Sequence, residues 1–181
     1  PAAAVGLNPG DLVINEIMQN PSIVADSVGE WFEIYNNTAG SVDLVGLTVS
    51  DNDVDSFTVE TSVIVAPGGF AVLGNNAESG INGGVNVDYE YSGMFLGNSA
   101  DEVVIFDGGV EIDRVEYDNG VTFPDPNGAS MALDDIANDN NVGANWCTAT
   151  TEFGFGDLGT PGAANDCIPV GPADLVINEF V

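Results

Sequence analysis

Apolar and polar residues alternate with a period of two in one segment after another of this chain, and no stretch sustains the 3.6-residue period of an amphipathic helix. In DLVINEIM (11–18) and EWFEIYN (30–36) successive side chains must point to opposite faces, so each segment can cover a core only as a strand. The same pattern, with β-branched runs, predicts strands at 42–50 (VDLVGLTVS), 56–65 (SFTVETSVIV), 70–74 (FAVLG), 86–91 (NVDYEY), 101–107 (DEVVIFD) and 110–117 (VEIDRVEY). Asp107-Gly108-Gly109 supplies a tight hairpin turn, and Pro67-Gly68-Gly69 leads into another strand. Short strands with turns at regular intervals predict an all-β antiparallel sandwich.

Beyond about residue 120 the pattern gives way to TFPDPNGASMALDDIANDNNVGANW, rich in Asn, Asp, Gly and Pro. This predicts a long, irregular C-terminal segment with one helical turn near 133–137, anchored by Met131, Leu133, Ile136 and Trp146. The domain is expected to span 11–167, after a leader or linker at 1–10. IPVGP opens a connector at 168–173, and DLVINE, first seen at 11–16, then returns at 174–179. Residues 174–181 are therefore expected to be the first strand of a truncated second repeat. A lone strand leaves its ladder groups and apolar face unpaired. Leu175, Val176, Ile177, Asn178, Glu179 and Phe180 are accordingly expected to pair with an edge or an opening-strand slot of a neighbouring copy or another protein.

Charge narrows the function. Twenty-nine Asp and Glu face a single basic residue, Arg114, for a net charge of −28 with no Lys and no His. Such a surface repels phosphate backbones, so no direct nucleic-acid binding is expected. No apolar run approaches the roughly 20 residues a helix needs to cross a bilayer, and no membrane insertion is expected. Without His there is no Ser-His-Asp triad and no histidine-ligated zinc; without Lys there is no Schiff base and no P-loop. A carboxylate-dependent hydrolase stays open, because two acids suffice for glycoside hydrolysis. No pair stands out from the acidic background, so the chain is not expected to be an enzyme. Cys147 and Cys167 lack the neighbours of a metal site or a reactive thiol, which points to a disulfide and an oxidising compartment. Closing that loop would contribute about 3 kcal/mol.

The ordered run LVINEI (12–17), GEWFEIYNNTAGSVDLVGLTVSDND (29–53), VIVAPGGFAVLGNN (63–76) and DEVVIFDGGVEIDRVEY (101–117) resembles the lamin tail domain. NWCTATT and GDLGTPGAAN, within 145–165, resemble the tail of its bacterial members. The resemblance implies an immunoglobulin-like sandwich. It also implies an accessory module without chemistry of its own, of the kind repeated in large secreted bacterial proteins or attached to extracellular nucleases and hydrolases. The expected location is therefore secreted or at the cell surface. The chain has neither coiled-coil heptads nor the basic, DNA-attracting surface of nuclear members, so their role does not carry over.

Three sets of residues are candidate sites. Asp51, Asp53 and Asp55 stand at i, i+2 and i+4 in a loop. An EF-hand would need Gly at 56 and Glu at 62, and both are Ser, so only a looser Ca²⁺ loop or a solvated acidic turn remains. Asp134, Asp135 and Asp139, with Asn138 and Asn141, offer either a second Ca²⁺ cluster or Asx turns. Glu16 is in phase with Leu12 and Ile14, so it is expected to point inward. Glu16 and Glu33 are then candidate buried structural carboxylates. Trp31, Tyr35, Tyr89, Tyr91 and Trp146 would stack on a glycan only if they shared an exposed face, the requirement of a carbohydrate-binding module; otherwise they belong to the core.

Overall fold

A computed structural model describes residues 6–167 of the chain. The connector at 168–173 and the expected strand-donor residues Leu175, Val176, Ile177, Asn178, Glu179 and Phe180 lie outside the described residues, as do residues 1–5 of the leader.

The two segments with the cleanest alternation become β1 (Leu12–Met18) and β2 (Trp31–Asn36), which pair antiparallel at the centre of a six-stranded sheet. On one flank β2 pairs with β7 (Phe70–Gly74), and β7 pairs in parallel with the short β8 (Tyr89–Glu90). On the other flank β1 pairs with β11 (Met131–Leu133), and β11 with β12 (Trp146–Thr148). The facing sheet has four strands. Its hairpin of β9 (Ala100–Asp107) and β10 (Val110–Asp118) turns at Gly108-Gly109, and β4 (Thr48–Ser50) and β5 (Ser56–Thr58) complete it. Leu12, Ile14, Ile17, Phe32, Ile34 and Leu73 from one sheet meet Val49, Val103, Ile105 and Val115 from the other in one continuous core.

Segments 42–50 and 56–65 are not single strands. Each is split by a bend, giving β3 (Val42–Asp43) and β6 (Ile64–Val65), which pair as a separate two-stranded ribbon, before and after β4 and β5. Gly46 turns the chain with a φ of 91°, a conformation that favours glycine, while Asp43 Oδ1 accepts the amides of Val45 and Val63 (both 3.1 Å). The segment after 120 also differs from expectation. It carries β11 and β12 where irregular chain was expected, because the second edge of β1 needs a partner for its ladder groups, and residues 136–137 near the expected helical turn form a plain turn. The one α-helical turn among the described residues, α1 (Asp26–Gly29), was not legible in the pattern. After β12 the chain crosses the outer face of the six-stranded sheet through β13 (Glu152–Phe153) and β14 (Asp157–Leu158). The Cys147–Cys167 disulfide, with Cα atoms 5.8 Å apart, closes this crossing segment into a loop.

Candidate functional site

Glu16 and Glu33 face each other across β1 and β2, both fully buried. They do not enter the core between the sheets. A β-bulge between Ile14 and Glu16 inserts one residue and reverses the phase of β1. Leu12, Ile14 and Ile17 keep the inner face, whereas Glu16 turns outward, so the expectation that it points inward in phase with Leu12 and Ile14 is corrected. What buries it is the crossing segment. Met18, Trp31, Val72 and Val85 form a smaller apolar cluster with Val87 and Phe153 packed against it, and Phe153 meets Trp31 edge-on at 5.9 Å.

Within that cover, each carboxylate oxygen accepts at least one hydrogen bond from the chain itself. Ser130 Oγ (2.5 Å) and the Thr160 amide (2.7 Å) donate to Glu16 Oε1, and Thr160 Oγ1 donates to Oε2 (2.9 Å). Asn15 Nδ2 donates to Glu33 Oε1 (2.7 Å), and the Gly162 amide donates to Oε2. Asn165 then pins the end of the segment, donating to the carbonyls of Asn15 (2.7 Å) and Leu133 (2.9 Å). Gly159 leaves little room for a side chain: a Cβ there would stand 3.1 Å from both Glu16 Oε1 and Ser130 Oγ. Burial dominates the titration of the pair. It raises Glu16 against the hydrogen bonds from Ser130 and Thr160, and pushes Glu33 up to about 8 against those from Asn15 and Gly162, with Glu16 adding repulsion.

Two further acids, the buried Glu30 and the half-buried Asp113, went unnoticed in the sequence. Glu30, whose Oε2 accepts the Leu96 amide (3.1 Å), is pushed up to about 7 by burial. Asp113 accepts the Ile14 amide (2.6 Å) and Asn140 Nδ2 (2.7 Å), and burial pushes it up to about 6. Each clamps backbone from a different part of the chain. No local motif announces such a role, and a second register shift between Glu111 and Asp113 hides the phase of β10.

The acidic clusters engage local backbone and side-chain amides. Asp51 Oδ1 accepts the amides of Asp53 (2.8 Å) and Asp55 (3.1 Å). Asp134 Oδ1 accepts Asn138 Nδ2 (3.0 Å), Asp135 Oδ1 the Ala137 amide (2.9 Å), and Asp139 Oδ1 the Asn141 amide (3.0 Å). Among the described residues no group of three or more Asp, Glu, His or Cys side chains is placed to hold a metal ion. Of the five aromatics, Trp31, Tyr91 and Trp146 are buried. Tyr35 rests on Phe70 (5.3 Å between ring centroids) and Tyr89 stacks on Phe57 (6.0 Å), so the five form no shared exposed face.

A sandwich whose first strand carries LVINEI and whose second carries WFEIYN, joined by a buried acid pair, agrees with the family comparison. The family model of the lamin tail domain matches residues 7–119. The chain belongs to the lamin tail domain family. No curated protein matches it. The family consists of non-enzymatic, immunoglobulin-like domains, and the two facing sheets of this lamin tail domain are consistent with the immunoglobulin-like sandwich. The matched span ends after β10, so β11, β12 and the crossing segment that buries Glu16 and Glu33 lie beyond it. The disulfide fits an extracellular location, and among the described residues no helix is long and apolar enough to cross a membrane.

Proposed function

We propose that this lamin tail domain is a non-catalytic accessory module of an exported bacterial protein, serving in binding, adhesion or spacing within a tandem array. The observation that carries the proposal is the use made of the carboxylate pair. All four oxygens of Glu16 and Glu33 are engaged by the domain's own backbone and side chains, beneath a covering segment. A glycoside hydrolase needs such a pair open to substrate and water. The disulfide and the recurrence of DLVINE at 174–179 support export and repetition.

In such an array the segment that opens at 174 would begin the next module or enter the sheet of a neighbouring copy. Light scattering behind size exclusion tests this on the full chain and on a chain ending at Ala173. The full chain is expected to self-associate in the range of about 10–100 µM, about 5.5–7 kcal/mol, and the shortened chain to stay monomeric. If both elute as the same monomer, strand donation is wrong.

A further inference from the structure

The segment that covers the carboxylate pair has an unusual attachment. Between Gly159 and Asn165 it carries no charged side chain, and three of its residues bind the outer sheet face: Thr160 to Glu16, Gly162 to Glu33, and Asn165 to the carbonyls of Asn15 and Leu133. No basic side chain balances the acids beneath it. Glu33 is faced by Glu16 from β1 and by Asp88 from the approach to β8, and Glu16 is faced by Asp166 at the end of the segment. The nearest acid on β13, Glu152, is exposed. The only basic side chain, Arg114, lies on β10 in the other sheet and is paired with Glu111 and Glu116.

Like charges directly opposite on adjacent strands repel, and burial without a counter-charge favours keeping a proton on the pair. Asn15 Oδ1 is buried beside Glu33 and receives no donor, although Nδ2 of the same carboxamide touches Glu33 Oε1. A half-turn of that carboxamide would put an acceptor where a protonated Glu33 donates.

We propose that the segment from Thr160 to Asn165 is a proton-operated latch, seated while the Glu16–Glu33 pair holds a proton and lifting with release of that proton to water. The disulfide makes the motion local and reversible, because Cys167 stays bound to Cys147 on β12 when the latch lifts. Lifting would uncover Glu16 and Glu33 on the outer sheet face, since Thr160 and Gly162 are the latch residues that bind them.

The test is amide hydrogen exchange on the full chain from pH 5.5 to 9, corrected for intrinsic exchange rates. A lifted, solvated carboxyl titrates near 4.5 and a seated Glu33 near 8, so latch opening is expected to rise up to about tenfold per pH unit between these values and to level off above. The Thr160 and Gly162 amides should follow this curve, while ladder amides of β2 such as Ile34 should not. Glu33→Gln is expected to remove most of the slope, and Glu16→Gln with Glu33→Gln all of it. Protection of Thr160 and Gly162 that is flat in the wild type would overturn the latch. So would a fall shared equally by the β2 ladder, or a wild-type slope retained in the double variant. Should the double variant fail to fold, the wild-type profile and the single variant still decide.

Discussion

Glu30 sits with 4% of its surface exposed, held by one firm backbone hydrogen bond, and its protonation equilibrium is a term in the stability of the whole domain. Burial raises its titration from 4.5 to about 7, so the folded chain binds that proton more tightly than the unfolded chain. The stabilisation is complete below about 4.5 and is lost as pH climbs toward 7. Asp113, raised to about 6, acts in the same direction over a lower window. Urea unfolding of the full chain is therefore expected to show stability falling between pH 5 and pH 7.5, by about 1–3 kcal/mol for Glu30. Glu30→Gln keeps an acceptor for the Leu96 amide and should flatten the decline over that interval. An unchanged slope in the variant would assign the pH dependence to other groups. Relief of net negative charge on acidification acts in the same sense, which is why the difference between variant and wild type, rather than the wild-type curve, is the decisive measurement.

At the scale of elements, what could be read from the sequence follows how local its cause is. β1, β2, β7, β9 and β10 were legible because each has its own alternation and turn signals. The bend at Gly46 was not read, although the alternation shifts phase there, from Val42 and Leu44 to Leu47 and Val49; a one-residue slip is too small a signal to split a strand, and the pairing of β3 with β6 is what shows the division. The bulge that reverses Glu16 is likewise set by the partner strand, so the burial of Glu16 was legible while the face that buries it was not. β11 and β12, three residues each among Asn and Asp, carry too short a pattern to register and exist because β1 has a bare edge. The acidic loops between elements pose the opposite problem, because their composition suggests two uses at once. Asp51 and Asp139 already close Asx turns, yet each has a second oxygen free for a cation. If Ca²⁺ occupies either loop, millimolar Ca²⁺ should raise the melting temperature of EDTA-treated protein by several degrees, as a ligand at about 100 times its Kd stabilises by about 2.7 kcal/mol. Identical melts with and without Ca²⁺ would leave both loops as turns only.

For the whole molecule, the family match and the folding unit have different limits. The match closes at 119, after the β9–β10 hairpin, and to that point every strand of the four-stranded sheet is present. The six-stranded sheet is not complete there. Without β11 one edge of β1 is bare, and without Ser130, Thr160 and Gly162 the buried acids lose four of their five hydrogen bonds. Removing the cover would also expose Met18, Trp31 and Val72, and unpaired edges with apolar faces associate. A chain of residues 7–119 is therefore expected to give no cooperative thermal transition and to aggregate, whereas residues 6–167 with the disulfide intact should melt in a single step. Reducing the disulfide should lower that melt, the entropic contribution of a loop of this size being about 3 kcal/mol. Calorimetry checks both chains. A cooperative melt of the 7–119 chain within a few degrees of the longer one would show that the two sheets alone define the domain. It would also reduce the C-terminal segment to an appendage with no part in burying Glu16 and Glu33.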